Sequence, residues 1–172
     1  AFACGEDLSG LEDIVQTLTE EGITAVFLFR TEELAGQAEQ IRQAVGSGQT
    51  IGLIVSGSSA QEVGQAVDEG NDILADIAWT RARVVLAEET DRTVRQELEQ
   101  AGIRCWQGNV DGVTGNTAAT RASRIFNAVE GQDSAARITM DASECSADAL
   151  SRLLDRLQAE EYVIRPAVET EF

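Results

Sequence analysis

Residues 50–64, TIGLIVSGSSAQEVG, contain the transition that decides the fold class of this chain. Thr50 to Val55 form an apolar, β-branched run that is typical of a buried strand. A small polar turn follows, and Ser59 with Glu62 has the spacing of a capping box at the start of a helix. A strand, a short turn and a capped helix form the repeating unit of α/β proteins, whose turns commonly carry functional residues.

The same strand–helix unit recurs along the whole chain. Gly22 and Gly102 each follow a helical segment and directly precede a strand, where helix-ending glycines belong. Strict alternation predicts a parallel sheet with helical crossovers, either open and doubly wound or closed as a barrel. The predicted strands cover 1–4, 23–30, 50–56, 82–88, 103–110, 136–142 and 162–168, and the predicted helices cover 9–21, 32–45, 60–79, 91–101, 117–129 and 147–160.

Composition excludes several kinds of chemistry. The 172 residues include 30 acidic and 13 basic side chains, and every basic one is arginine, because the chain contains no Lys and no His. Without His there is no Ser-His-Asp triad, no Cys-His dyad and no imidazole metal site, and without Lys there is no P-loop lysine or Schiff base. The formal charge of −17 disfavours binding to nucleic acid. We also expect no membrane insertion, because no apolar run is long enough to span a bilayer.

The size of the chain predicts one domain over residues 1–172. Residue 1 lies inside a predicted strand, so we expect the chain to be a piece of a longer protein. No signal peptide is visible in these residues.

In either sheet architecture, functional side chains gather where the strands end. Glu88, Asp111 and Asp141 would converge there from three strands, and pairs of carboxylates are the machinery of glycoside hydrolysis. Ser56 and Ser58 lack the His or Lys base that a serine nucleophile needs, so a plain turn is the simpler interpretation. The polar residues at the predicted strand ends are Cys4, Glu6, Asp7, Arg30, Glu32, Ser56, Ser58, Glu88, Glu89, Asn109, Asp111, Asp141, Ser143 and Glu144.

The aromatic and sulfur-bearing residues leave two alternatives open. Trp79, Trp106 and Tyr162 could stack on sugar rings, although a helix end and strands more often place such residues in the core. Cys4 and Cys145 lie near strand ends and could pair there, although separate buried thiols are the simpler expectation.

The order of several segments matches one known framework. The segments are AFACG at 1–5, GITAVFLF at 22–29, QTIGLIVSGSS at 49–59, RVVLAEE at 83–89, LEQAGIRCWQGNVDG at 98–112, ARITMDAS at 136–143 and ALSRLLDRLQAEEYVI at 149–164. In this order the chain resembles the polysaccharide deacetylases of the NodB-homology family, whose members carry T-F-D-D-G, H-x-x-x-H and L-M-H-D type motifs. These enzymes remove acetyl groups from chitin, peptidoglycan and related glycans. The resemblance implies a distorted (β/α)7 TIM-like barrel of the glycoside hydrolase/deacetylase type.

The resemblance also shows which functional residues have been replaced. Ala3 and Cys4 stand where the family has its two aspartates, the catalytic base and a metal ligand. Ile54 and Ser58 stand where the family has its two metal-binding histidines. The family's chemistry requires a divalent ion to activate water, and these replacements remove its ligands. We therefore expect neither a metal nor a cofactor.

The remaining motifs are similarly altered. Asp141 replaces the histidine of the L-M-H-D motif, and the proline-rich motif has become Val85-Leu86-Ala87, with its arginine lost or shifted to Arg83. Only Asp111 matches a family aspartate.

The resemblance, with these losses, suggests a catalytically inactive deacetylase-like domain. Such a domain would bind glycan or peptidoglycan fragments, or act as a structural module, in an extracytoplasmic or cell-envelope location. The alternative is a divergent carbohydrate-active hydrolase that uses Glu88, Asp111 and Asp141. The arrangement of these carboxylates distinguishes the two functions. Convergence around an open cleft would favour the hydrolase, and scattered carboxylates would favour the inactive domain.

Overall fold

The computed structural model describes residues 1–112 and 115–167, in which six strands alternate with six α-helices. The first half contains β1 (Phe2–Cys4), α1 (Leu11–Glu20), β2 (Val26–Arg30), α2 (Ala38–Gly46), β3 (Thr50–Ser56) and α3 (Ala60–Ala78). The second half contains β4 (Val85–Glu88), α4 (Arg92–Gln100), β5 (Val110–Asp111), α5 (Ala118–Glu130), β6 (Ile138–Asp141) and α6 (Ala147–Ala159).

The strands form one parallel sheet in the order β4-β3-β2-β1-β6-β5. The sheet is curled into a half-barrel with helices packed on its outer face. The expectation of an α/β fold of parallel strands is confirmed. The expectation of a distorted (β/α)7 barrel is met in part: the sheet is curled as in the deacetylase fold, but it has six strands in the described residues and is not closed, because the edge strands β4 and β5 do not pair with each other.

The segment predicted as a strand over 103–110 explains why the sheet stays incomplete. Its first part makes a single bridge to β4, in which Val85 N donates to Arg104 O at 2.9 Å and Trp106 N donates to Val85 O at 2.7 Å. The chain then turns toward β6, where Gly108 passes so close to the Thr139 side chain that a Cβ would collide with it. Among the described residues of this segment, Val110 and Asp111 alone pair as a strand, with β6. The segment therefore contacts both β4 and β6 but forms a short ladder with β6 alone.

The prediction of a seventh strand over 162–168 is also wrong. Residues 162–166 form an irregular loop, and residue 167 has a 3-10 conformation. Residue 168 lies outside the described residues. Pro166 has no N–H to contribute to a ladder. Tyr162 instead packs edge-on against Phe126 of α5, with ring centroids 6.0 Å apart.

The helix predicted over 32–45 begins later than expected. A 3-10 turn occupies Thr31–Glu33, and α2 starts only at Ala38. Gly36, a weak helix former, lies in the intervening turn, and its N–H donates to Glu33 O at 3.0 Å.

Two apolar cores lie on the two faces of the sheet. The outer core joins the sheet to the helices and includes the leucine face of α6, which is buried as its periodicity predicts. The inner core fills the half-barrel and is small. A Cβ at Gly52 would lie 2.6 Å from Val84 O, so the glycine allows β3 to approach its neighbours there. The buried members of the inner core are Val26, Leu28, Ile54, Val84 and Trp106.

Candidate functional site

The inner face of the sheet ends in a polar rim at the carboxyl ends of the strands. Residues that are register partners on neighbouring parallel strands lie on the same face. Arg30 is the register partner of Ile54, and Glu88 is the register partner of Ser56. Since Ile54 belongs to the inner core, all four positions face the inside of the half-barrel.

Arg30 and Glu88 form the central polar contact of this rim. Nη1 of Arg30 donates to Oε2 of Glu88 at 2.9 Å, and Nη2 donates to Oε1 at 3.1 Å. The pair crosses β3 from β2 to β4 at the level of Ile54 and Ser56. Its hydrogen bonds to Glu88 raise the pKa of Arg30 above its ordinary value. Sequence reasoning placed both residues on the rim but missed their pairing, because no local signal links residues 58 positions apart.

The positions that the resemblance would assign to metal ligands do not offer a set of donor atoms here. Ile54 is buried in the inner core, and Ala3 packs against the same cluster. Cys4 lies on the opposite face in the outer core, where burial, and secondarily the charge of Asp141, raises the pKa of its thiol. Ser58 is exposed, and its N and Oγ both donate to Glu62 Oε2, at 2.9 and 2.8 Å. Within residues 1–112 and 115–167, no group of three His, Cys, Asp or Glu side chains could hold an ion.

The N-cap half of the predicted capping box is confirmed. Ser59 is the N-cap of α3, and its hydroxyl accepts a hydrogen bond from Glu62 N at 3.3 Å. In a regular capping box the Glu62 carboxylate would accept a hydrogen bond from the backbone N of Ser59. Here it accepts hydrogen bonds from Ser58, one residue earlier. These hydrogen bonds, chiefly the one from the Ser58 backbone, lower the pKa of Glu62.

The three carboxylates of the hydrolase hypothesis share the inner face but differ in their surroundings. Asp141 is the register partner of Ala3, and Asp111 is the register partner of Thr139. Asp141 closes the turn after β6, because its Oδ1 accepts from the backbone N of Ser143 at 2.8 Å. Glu88 is occupied by Arg30, whereas Asp111 is exposed at the end of its strand.

The aromatic residues differ in exposure. Trp106 is 6% exposed inside the half-barrel, and its Nε1 donates to Thr139 Oγ1 at 2.8 Å, so the core interpretation is confirmed. For Trp79 the core interpretation is wrong, because its side chain is 95% exposed. Tyr162 is partly exposed. Cys4 and Cys145 are free thiols in the structure.

A cavity of about 20 Å³ lies beside Asp141, between β6 and the facing sides of α5 and α6. Its lining is mostly apolar, with Arg121 and Glu144 among its polar members. A space of this size holds about one water molecule and no sugar ring. This cavity therefore does not accommodate a glycan.

The fold that carries this rim is that of the CE4 family polysaccharide deacetylases. The chain matches the wild-type CE4 family pseudoenzyme BA3943 from Bacillus anthracis with a TM-score of 0.79 and 13% identity, over 98% of this chain and 62% of that one. It matches the Bdellovibrio bacteriovorus peptidoglycan deacetylase Bd3279 with a TM-score of 0.78 and 17% identity, over 95% and 49% of the two chains. It matches the polysaccharide deacetylase Bc1974 from Bacillus cereus with a TM-score of 0.78 and 15% identity, over 99% of this chain and 92% of that one.

These likenesses establish the fold alone, because the identities are low. The chain spans about three-fifths of the length of BA3943. No protein-family model and no curated protein matches the sequence. Among the helices of the described residues, none is long and apolar enough to cross a membrane.

Proposed function

We propose that this chain is a catalytically inactive polysaccharide-deacetylase-like domain that binds glycan or peptidoglycan fragments at its polar rim. The observation that carries the proposal is the Arg30–Glu88 ion pair, which crosses the half-barrel at the level of Ile54, a position of the family's metal site. A pseudoenzyme and peptidoglycan deacetylases among the proteins of the same fold support both parts of the proposal.

The chemistry of the side chains favours inactivity. Neither Ala3 nor Ile54 has a donor atom, and the Ser58 hydroxyl is engaged with Glu62. A guanidinium beside such a site would also repel a divalent cation. With no imidazole anywhere in the chain, a donor set that includes histidine cannot be assembled.

The same rim suits recognition of a neutral glycan. Sugar hydroxyl and acetamido groups both donate and accept hydrogen bonds. The Arg30–Glu88 pair offers donors and acceptors with about one third of each side chain exposed, and Asp111 adds an exposed acceptor. A module of this kind would work outside the cytoplasm, in the cell envelope, where its ligands occur.

The test combines catalysis and binding on the same sample. The protein is incubated with N-acetylchitotetraose or with muropeptides and with Zn²⁺, Co²⁺ or Ni²⁺, and released acetate is measured. We expect no acetate, together with ligand-dependent NMR shifts at Arg30 and Asp111 that a Glu88→Ala variant weakens. Glu69→Ala, an exposed change on α3, is the matched control.

Two outcomes would overturn the proposal. Chelator-sensitive acetate release that disappears in Cys4→Ala would show that a metal site has been rebuilt. Absence of binding to both ligands would remove the glycan-recognition part and leave a structural module.

The second candidate is a divergent hydrolase, favoured by the common inner-face placement of Glu88, Asp111 and Asp141. Its weakness is that Glu88 and Asp141 already have intramolecular partners. It predicts release of reducing sugar from the same glycans, abolished by Asp111→Asn. The inactive-domain proposal predicts none.

A further inference from the structure

A groove of about 540 Å³ opens at the amino end of β4, at the opposite end of the sheet from the rim. Its walls are the second half of α3, residues 79–83 and residues 102–104. Arg81, Arg83 and Arg104 line it, and among the described residues Asp68 is the acidic one in its lining. Within residues 1–112 and 115–167 the lining therefore has three arginines and one acidic residue, in a protein of charge −17.

Trp79 borders this groove and contributes little to the fold. It is the C-cap of α3 with a φ of 53°, in the left-handed region that suits glycine and is costly for a large side chain. Its indole is 95% exposed, so it gains almost no burial energy in return. A strained backbone that holds an exposed aromatic side chain is a feature of binding sites.

The backbone around the groove is held in place. Asn71, a buried residue of α3, accepts a hydrogen bond from Ala82 N through its Oδ1 at 2.8 Å. Arg83 N donates to Ile51 O at 3.0 Å, which fixes the loop to the start of β3. Arg42 Nε donates to Ile77 O at 2.9 Å near the end of α3. These contacts fix the backbone of the segment that carries Trp79, Arg81 and Arg83 before any ligand arrives, which lowers the part of the entropy cost of binding that comes from ordering the loop.

We propose that this groove binds a short carboxylate-rich segment of a partner protein. Guanidinium groups pair with carboxylates through charge-assisted hydrogen bonds, and Trp with Arg are the residues that most often dominate protein interfaces. The volume lies within the ordinary range of binding pockets. A long polyanion, such as nucleic acid or an acidic polysaccharide, would also meet the negative surface beyond the groove, which favours a short segment.

This surface is independent of the glycan proposal, because it lies at the other end of the sheet. The rim could fail its test without affecting the groove, and the reverse also holds.

The probe is a fluorescein-labelled hexaglutamate peptide, and its anisotropy is followed with the whole chain in 50 mM NaCl. We expect saturable binding that weakens at least tenfold in Arg81→Gln/Arg83→Gln. Arg92→Gln/Arg165→Gln removes the same charge elsewhere and should leave affinity within twofold. Trp79→Gly should weaken binding at least fivefold with an unchanged or higher melting temperature, which separates recognition from folding.

Several results would overturn this inference. The first is no binding of hexaglutamate, or equal binding by Arg81→Gln/Arg83→Gln. The second is tighter competition by trigalacturonate or by single-stranded oligothymidylate, which would assign the groove to a glycan or to nucleic acid. The third is a dimer in sedimentation that the same double variant dissociates, which would make a second copy of this chain the occupant.

Discussion

Arg30 and Glu88 are joined by two hydrogen bonds, of 2.9 and 3.1 Å, although β3 lies between their strands. Strands two places apart in a sheet are separated by roughly 9–10 Å, so both side chains must extend toward each other above β3. The pair therefore joins β2 to β4 on the inner face, where the sheet has only a small apolar core. It also places a guanidinium on the strand next to Ile54, the register partner of Arg30.

A double-mutant cycle measures the strength of this pair. We expect Arg30→Gln and Glu88→Gln to show a coupling free energy of about 1 kcal/mol in urea unfolding, since the geometry is bidentate but one third of each side chain is exposed. The coupling should shrink in 1 M NaCl because salt screens exposed charges. Asp148 and Arg152, an exposed i,i+4 pair on α6, are the control and should couple by only about 0.3–0.5 kcal/mol. Zero coupling for the rim pair would contradict its role in joining the strands.

The N-cap of α3 gives a second prediction. Ser59→Ala removes the acceptor for Glu62 N, so the free energy of unfolding should fall by about 1 kcal/mol. Chemical denaturation followed by circular dichroism measures this change. Ser134→Ala, at an exposed bend, should change it by less than about 0.5 kcal/mol. Equal effects of the two substitutions would show that the cap contributes nothing.

The two tryptophans should respond oppositely to truncation. Trp106→Ala empties much of the half-barrel and should destabilise the protein by about 3–5 kcal/mol. Trp79→Ala removes an exposed side chain and should stay within about 0.5 kcal/mol of the parent. The free energies of unfolding of the Trp106→Ala and Trp79→Ala variants are compared by thermal or urea unfolding. A large loss at Trp79 would mean that its indole packs against the fold in solution.

The thiols should differ in their rates of alkylation by iodoacetamide. Burial raises the pKa of Cys145 to about 11, and its side chain is partly accessible, whereas Cys4 is buried with a pKa raised further. Because the thiolate is the reactive form, modification of Cys145 should speed up about tenfold per pH unit up to that value. Mass spectrometry identifies the modified residue, and Cys145→Ser should abolish native-state labelling. Labelling of Cys4 as fast as Cys145 would show that the outer core opens readily.

Local patterns predicted most of the elements correctly. The apolar run at 50–56 is β3, and Ser59 caps the helix that follows. The leucines of α6 lie on its buried face. Such features depend on hydrophobic period and on side chains a few residues apart, so neighbouring residues suffice to specify them. The replacement of family residues at Ala3, Cys4, Ile54 and Ser58 stays a prediction from the resemblance.

Tertiary structure decided which of these elements meet. Whether residues 103–111 pair with β4 or with β6 depends on which strand lies nearer. The segment contacts both strands. The long strand predicted from the sequence is therefore reduced to one bridge to β4 and two residues that pair with β6. The Arg30–Glu88 contact arises because β3 brings β2 and β4 to its two sides. Trp79 became exposed because α3 ends in a left-handed residue that turns the indole away from the core. Sequence therefore determined most of the elements and the absence of histidine and lysine, since these are local or compositional. Closure of the sheet, the ion pair and the basic groove depend on contacts between distant residues, whose free energies are set only once the whole sheet has curled.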